Sequence, residues 1–173
     1  MFYLALDLST KSSGYAIFED KKLIDYGYIT ADSSNVWHRI DKMIVDLEDK
    51  ILQYYQFSHI YIEDVYPEDV KGNLTVWKTL TYLQGFVLHL LDKYNLKSTF
   101  LTASSWRSKC GIHTGRGIKR ESLKSKDIAF VKNQFGLDVN DDVADAICIG
   151  CAALGVTPVQ PEVSKTVDGF EFG

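Results

Sequence analysis

Four acidic residues of this chain have side chains and positions that suit the binding of divalent cations. Asp7 and Glu63 stand at the ends of two short apolar runs, FYLALD and HIYIED, and Asp142 and Asp145 lie three residues apart in NDDVADAICIG. Hard cations such as Mg²⁺ prefer oxygen ligands. Two such ions can bind both the attacking and the leaving oxygen of a phosphodiester. The four acids therefore predict a metal site that is suited to phosphodiester chemistry.

Each acid also has a purely structural interpretation. Asp7 could cap the turn after its strand, and Glu63 could be a solvated strand end. Asp141 and Asp142 could cap a helix and favour its positive N-terminus. Asp145 is harder to explain in this way, because it lies one helical turn further on among small and apolar neighbours. Two anions on one helix face repel each other unless a cation lies between them, so we favour a joint site. The pattern does not choose between Asp141 and Asp142 as the ligand.

Apolar patterning predicts the elements that must position these acids. The predicted strands are 2–8, 13–19, 23–30, 59–64 and 98–102. The predicted helices are 36–55, 73–94, a short one from Ser104 or Ser105, 121–135, and one from near Asn140 to Leu154. The first three strands form an antiparallel meander, and a crossover places the fourth parallel to the first. The predicted fold class is therefore α/β, a mixed sheet flanked by helices, with Asp7 and Glu63 at one edge.

Length and composition fit one domain. The chain has 173 residues, of which 46% are hydrophobic and 24% are charged, as in ordinary globular proteins. The predicted domain covers residues 1–155. Residues 156–173 contain Pro158 and Pro161 and are predicted to form an extended or disordered C-terminal tail.

The sequence has no feature of a membrane or secreted protein. No segment approaches the roughly 18 apolar residues of a membrane span, and the N-terminus has no signal-peptide pattern. We therefore expect a cytoplasmic protein, in a bacterial host if it is phage-encoded, without a membrane partner. Three cysteines are expected to be free thiols, namely Cys110, Cys148 and Cys151.

A cluster of positive charge occupies residues 107–132. This segment has eight basic residues and two acidic ones, in a chain whose net charge is −4. Such a stretch is the expected electrostatic signature of contact with a phosphate backbone, and a solvated helix face is the alternative. A cation beside a scissile phosphate would also offset the charge that develops during hydrolysis. The candidate phosphate-contacting residues are Arg107, Lys109, Arg116, Lys119, Arg120 and Lys124.

Three segments, DLSTKSSGYAIF, IEDVY and DDVADAICIG, resemble the acidic motifs of RuvC-type Holliday junction resolvases, particularly the small bacteriophage forms. These enzymes belong to the RNase H-like (retroviral integrase) superfamily. The resemblance covers roughly residues 1–155, and its most specific part is the order of the acids along the chain. It implies an RNase H-like mixed five-stranded sheet flanked by helices. It also implies a crossover junction endodeoxyribonuclease, a metal-dependent enzyme that nicks four-way junctions and other branched DNA.

The resemblance implies roles for individual acids. Asp7 would be shared by two Mg²⁺ ions, for which Mn²⁺ could substitute. Glu63 would hold one ion, and Asp145 would help to hold the other. Asp142 matches the first acid of the family's terminal pair. All four residues would thus be both metal ligands and catalytic residues.

The resemblance also implies DNA contacts and a dimer. Tyr66 falls at a family position that carries an aromatic wedge against bases. The catalytic cation would be Lys109 or one of Lys119, Arg120 and Lys124, with Lys119 as our prediction. RuvC-like enzymes act as homodimers, and predicted helix 73–94 carries apolar residues around much of its circumference.

Other classes of protein share parts of this pattern. A YqgF-like nuclease that acts on structured RNA would have the same N-terminal Asp motif and fold. The segment DLSTKSSG also resembles the first phosphate loop of actin-like phosphotransferases, although the chain is short for that class and lacks its second glycine-rich loop. A junction-binding protein with an inactive site is the third alternative, but all four acid positions are filled.

Overall fold

Short apolar and aromatic runs form the five strands of the computed structural model, which describes residues 1–156. The strands are β1 (Phe2–Asp7), β2 (Ser12–Glu19), β3 (Lys22–Thr30), β4 (Phe57–Asp64) and β5 (Ser98–Thr102). The helices are α1 (Val36–Leu47), α2 (Leu74–Lys93), α3 (Ala103–Lys109), α4 (Arg120–Phe135) and α5 (Asp141–Leu154). A π-helical turn, Glu48–Leu52, extends α1.

The strands form one sheet in the order β3-β2-β1-β4-β5. Strands β1, β2 and β3 pair antiparallel, as an up-and-down meander, while β4 pairs parallel to both β1 and β5. Strand β1 is therefore central, and its C-terminal end lies beside that of β4. In parallel pairs of this kind, the carboxyl ends of the strands form the edge at which sites develop.

Two hydrophobic cores enclose the sheet. On one face, buried residues of the strands pack with the helices α1 and α2. On the other face, strand residues that include Phe18 pack with α3, α4 and α5. Large side chains such as Phe18, Ile147 and Trp106 are fully buried, and each such burial contributes roughly 1.5–3 kcal/mol. The helix α5 is buried along most of its length, which holds its first turn firmly against the sheet.

Local capping determines where the helices begin and end. The Asn140 side chain accepts the Val143 amide N–H at 2.9 Å, which caps α5. Gly136 and Gly155 adopt left-handed backbone conformations after α4 and α5, as expected for glycine C-caps. These signals are visible in the sequence, and the predicted ends of both helices agree with the structure.

Most predicted elements are confirmed, with two corrections. The helix predicted over 36–55 ends at Leu47 and continues only as a π-helical turn to Leu52. The short helix α3 begins at Ala103 and not at a serine, because Thr102 is its cap and accepts the Ser105 amide N–H.

Other predictions from the sequence concern the cysteines, membrane-spanning helices and the C-terminal tail. The three cysteines are free and buried, as predicted. In the part of the chain that the structure describes, no helix has the length and apolar character needed to cross a bilayer. The predicted tail, including Pro158 and Pro161, lies outside the described residues apart from its first residue.

Candidate active site

Strand ends and one helix bring the four acids to the same edge of the sheet. Asp7 is the last residue of β1, and Glu63 lies near the end of the neighbouring β4, one residue beyond the paired residues Leu6 and Ile62. Asp142 and Asp145 lie on the first turns of α5. That helix approaches β2 so closely that a Cβ atom at Gly14 would overlap the carbonyl oxygen of Asp142.

Burial and the charges of neighbouring acids shift the pKa values of the acids at the site. Burial raises the pKa of Asp7 well above its usual range, and the charges of Glu63 and Asp142 raise it further. Burial, with the charges of Asp7, Asp127 and Glu63, raises the pKa of Asp145 to about 10. Burial also raises the pKa of Glu63. Repulsion of this kind is expected where carboxylates lie close together, so the fold places Asp7 near Glu63, Asp142 and Asp145, and their role as metal ligands stays a prediction.

Each acid has a different set of hydrogen-bond partners. Trp106 donates its indole Nε1–H to Oε2 of Glu63 at 2.8 Å, and Ser12 donates its hydroxyl to Oδ2 of Asp142 at 2.5 Å. Asp145 is 7% exposed, and its Oδ1 is buried without a hydrogen-bond partner. A buried and unpaired carboxylate oxygen is costly, so Asp145 is the acid that most requires a cation or a proton.

The structure favours Asp142 over Asp141 as the acid of the site. Lys124 forms an ion pair with Asp141 on the flank of α5. Asp142, in contrast, contacts Ser12 of β2 and acts electrostatically on Asp7. We therefore propose Asp142, and not Asp141, as the ligand.

The chemistry of the four acids fits a hard divalent cation. They supply carboxylate oxygens from three elements, and the charges of the group are poorly compensated. Within residues 1–156, however, no three Asp, Glu, His or Cys side chains already stand in the arrangement of a metal site. Oxygens of Glu63 and Asp142 are engaged by Trp106 and Ser12 instead.

The basic segment borders this acidic edge. The charges of Lys124 and Arg120, both on the first turns of α4, lower the pKa of Asp7, and Arg120 acts in the same direction on Glu63. Arg120 is exposed and Lys124 is half-buried. Lys109, Arg116 and Lys119 are exposed between the end of α3 and the start of α4. The cations that most strongly influence Asp7 are thus Lys124 and Arg120, and not the predicted Lys119.

Arg107 does not occupy the exposed position that its predicted role in DNA contact requires. Its side chain is only 11% exposed, and its guanidinium forms a bidentate ion pair with Asp127, in which Nε lies 3.1 Å from Oδ1 and Nη2 lies 2.8 Å from Oδ2. A guanidinium that is engaged in this fork geometry has few donors left for a phosphate. We therefore remove Arg107 from the candidate DNA contacts.

Tyr66 lies two residues after the end of β4, on the acidic side of the sheet. Its side chain is 47% exposed, and its backbone N–H donates to Asp69 at 2.8 Å. A hydrogen bond with Asp64 raises the pKa of the Tyr66 hydroxyl. The ring is therefore accessible near Glu63, which is compatible with the predicted stacking on bases.

Several residues at the site were not predicted from the sequence as site residues. They contact the four acids or the residues that position those acids, and none of them is one of the four: Ser12, Gly14, Gln84, Trp106 and Asp127. Asp127 offered the one usable signal, since it is a lone aspartate followed by apolar residues in a basic helix. The contact of Trp106 with Glu63 joins residues 43 positions apart, so local sequence patterns do not reveal it.

The fold is that of the RuvC-type, RNase H-like resolvases. Thermus thermophilus RuvC in complex with a Holliday junction substrate matches with a TM-score of 0.70 and 11% identity, over 89% of this chain and 94% of that chain. Another T. thermophilus RuvC structure matches over the same shares with a TM-score of 0.67 and 12% identity. The yeast mitochondrial Holliday junction resolvase Ydc2 matches with a TM-score of 0.50 and 18% identity, over 88% of this chain and 77% of that chain.

The chain belongs to the DUF3882 family, which is described as Lactococcus phage M3 protein and whose model matches residues 2–153. No curated protein matches the sequence. At the low identities above, the solved structures establish the shared fold. The predicted resemblance to RuvC-type proteins is confirmed at that level.

Proposed function

We propose that this protein is a divalent-metal-dependent endodeoxyribonuclease that nicks four-way junctions and other branched DNA. The observation that carries the proposal is the meeting of Asp7, Glu63, Asp142 and Asp145 at one edge of the sheet, where the charges of neighbouring acids raise the pKa values of Asp7 and Asp145. A structural role does not require four acids in one place. The match to a RuvC structure that contains a Holliday junction supports this choice of substrate.

The four acids would hold Mg²⁺, or Mn²⁺ in its place, and we propose two ions per site. When bound, such ions activate water and stabilise charge on a phosphodiester. The protein's own residues orient the ligands, since Trp106 fixes one oxygen of Glu63 and Ser12 fixes one oxygen of Asp142.

The basic segment would bind the DNA backbone next to these acids. Lys109, Arg116 and Lys119 are exposed and suited to phosphate contacts that set register without reading sequence. Arg120 and Lys124 lie nearer to the acids and would offset charge on the scissile phosphate. Tyr66 would stack on a base at the branch point, because its ring is exposed beside the site.

The substitution Asp7→Asn tests the proposal. Loss of a central ligand should lower the rate of Mg²⁺-dependent junction cleavage by at least about a thousandfold, or about 4 kcal/mol. Junction binding should persist, because the basic surface is unchanged. A gel assay on a mobile four-way junction, with a binding assay in EDTA, measures both quantities.

The matched control is Asp20→Asn, at the exposed hairpin between β2 and β3. This variant should cleave at the wild-type rate. Cleavage at that rate by Asp7→Asn would contradict the proposal. Cleavage of structured RNA in place of junction DNA would favour the YqgF-like alternative.

We also propose that the protein acts as a homodimer, so that two sites can nick opposed strands. An exposed apolar face supports this proposal. It lies on α2 and the start of α1 and comprises Trp37, Tyr82 and Phe86. Exposed apolar surface of this kind commonly marks an interaction site.

A further inference from the structure

We propose that Trp106 is a positioning residue for Glu63, and that the ion pair between Arg107 and Asp127 holds Trp106 in place. The inference rests on the proposed function, because it concerns the way in which a predicted metal ligand is oriented. It assigns a role to three residues that belong neither to the acidic motifs nor to the exposed basic surface.

Trp106 makes a directed contact with Glu63. The side chain is completely buried, and its indole Nε1 lies 2.8 Å from Oε2 of the carboxylate. An indole can only donate, and its hydrogen bond to an ionised carboxylate is charge-assisted and strong. The bond restrains one oxygen of Glu63 and leaves Oε1 outside this contact. Gln84 restrains the backbone of the same residue, since it donates to the Glu63 carbonyl at 3.0 Å.

Arg107 braces the indole from its face. The guanidinium carbon lies 4.2 Å from the centre of the Trp106 ring, in a cation–π arrangement. The same group forms the bidentate pair with Asp127 of α4, through Nε to Oδ1 and Nη2 to Oδ2. Its Nη2 also lies 3.9 Å from Oδ2 of Asp145 on α5. Two consecutive residues of α3 thus reach acids on β4 and α5 at once.

Asp127 gives the arrangement its rigidity. It is 0% exposed, and a buried carboxylate is tolerated only when it is paired and hydrogen-bonded. The pair therefore fixes the plane of the guanidinium and links α3 to α4. The outcome is a chain of contacts that runs from Asp127 through Arg107 and Trp106 to Glu63.

The role of Trp106 is separable from simple packing. A phenylalanine would fill much of the same space but could not donate a hydrogen bond to Glu63. Outer contacts that orient metal ligands typically change metal affinity by 10–100-fold when removed. We expect Trp106→Phe to raise the Mg²⁺ concentration for half-maximal stabilisation, and for half-maximal cleavage, by roughly tenfold. Maximal cleavage at saturating Mg²⁺ should be largely restored.

Trp77→Phe is the matched control. Trp77 also donates its indole N–H, at 3.1 Å, but to the Val65 carbonyl oxygen and not to an acid. Both variants lose one indole hydrogen bond, but Trp77 is only half-buried, so the loss of packing in each variant is measured separately as the change in melting temperature without Mg²⁺. Only Trp106→Phe should change the Mg²⁺ midpoint, which is read from thermal melts of the free protein titrated with MgCl₂.

Each outcome is decisive. Equal Mg²⁺ midpoints for Trp106→Phe and Trp77→Phe, in a protein that responds to Mg²⁺, would overturn this inference alone. A wild-type protein that neither binds Mg²⁺ nor cleaves would overturn the proposed function.

Arg107→Lys is measured in parallel, because lysine keeps the charge but loses the bidentate pair with Asp127 and the stacking on Trp106. If Trp106→Phe does not fold, an unchanged Mg²⁺ midpoint in Arg107→Lys would overturn the inference.

Discussion

Burial of individual acids at the site lowers the stability of the metal-free protein. Asp145 is the clearest case, because its carboxyl is buried and its Oδ1 has no partner, while the nearest cation in an ion pair, Arg107 Nη2, is 3.9 Å away. The nearby charges of Asp7 and Glu63 add to this cost. The free energy of unfolding must therefore depend on the protonation of these groups.

We expect the metal-free protein to lose stability as pH rises. The pKa of Asp145 is raised from 3.8 to about 10 on folding, so the folded state holds a proton that the unfolded state releases. Its contribution is complete below the unfolded pKa and is lost as pH rises towards the folded pKa. Melting temperatures in EDTA should thus fall as pH rises from about 4 towards about 10.

Asp145→Asn should flatten this decline, because the amide has no proton to release in that range. Saturating Mg²⁺ should flatten it in the wild type, since a bound cation replaces the proton and stabilises the native state by mass action. Asp20→Asn serves as the control and should keep the wild-type slope. Equal slopes for all three proteins in EDTA would contradict the expectation.

At the scale of residues, the sequence predicts the acids of the candidate site better than it predicts the side chains that contact them. The four acids were identifiable because acids at strand ends and on an apolar helix are unusual. The ion pair of Arg107 with Asp127 was not predicted, because a cation in a basic segment gives no sign that a buried aspartate 20 positions away binds it. Side-chain pairing between α3 and α4 depends on how the two helices pack, and this is a tertiary property.

Among the elements, α5 controls the geometry of the site through its close approach to the sheet. Two glycines permit that approach. A Cβ atom at Gly14 would meet the backbone of Asp142, and one at Gly150 would meet the ring of Phe18. Because Gly14 pairs with Asp7 across β1 and β2, the absence of a side chain there sets the spacing between Asp7 and the first turn of α5.

Gly14→Ala should displace the first turn of α5 and with it Asp142. Overpacking of this kind costs about 1–3 kcal/mol, and the Mg²⁺ midpoint should rise by roughly tenfold. Thermal melts with and without MgCl₂ measure both effects. Gly85→Ala is the control, because a Cβ atom there has no neighbour within 4 Å. An unchanged Mg²⁺ midpoint in Gly14→Ala would contradict the expected role of this contact.

At the scale of elements, the sequence predicts apolar spacing better than it predicts the pattern of backbone hydrogen bonds. Strand β5 was predicted with its observed bounds, and α4 and α5 were predicted to within a residue at each end. The π-helical turn after α1 was missed, because Ile51 and Leu52 are buried there as they would be in a continued α-helix. Apolar periodicity records which face is buried and not which amide bonds to which carbonyl.

At the scale of the whole molecule, the apolar face on α1 and α2 is exposed to solvent. Trp37 and Tyr82 lie with their ring centres 5.3 Å apart, and Phe86 is 48% exposed one turn beyond Tyr82. Folding of one chain leaves these rings in water. Burial against a second copy would remove the free-energy cost of exposing these rings to water. It would also place two acidic sites in one dimer.

Phe86→Asp should convert the proposed dimer into a monomer, because a buried and unpaired charge at an interface costs several kcal/mol. Sedimentation velocity measures the change directly. Nicking of one strand should persist, while coordinated cleavage of two strands should fail. Tyr54→Asp is the control, since Tyr54 is 74% exposed outside this face. A wild-type protein that sediments as a monomer would contradict the dimer.

The order of elements along the chain has a consequence for biosynthesis. Asp7 and Glu63 leave the ribosome early, whereas the helix that carries Asp142 and Asp145 is the last element that the structure describes. Domains are synthesised from the N-terminus, so a nascent polypeptide possesses half of its acids without the helix that completes them. If the four acids act together as proposed, a chain that ends before α5 lacks two of them and is expected not to cleave DNA.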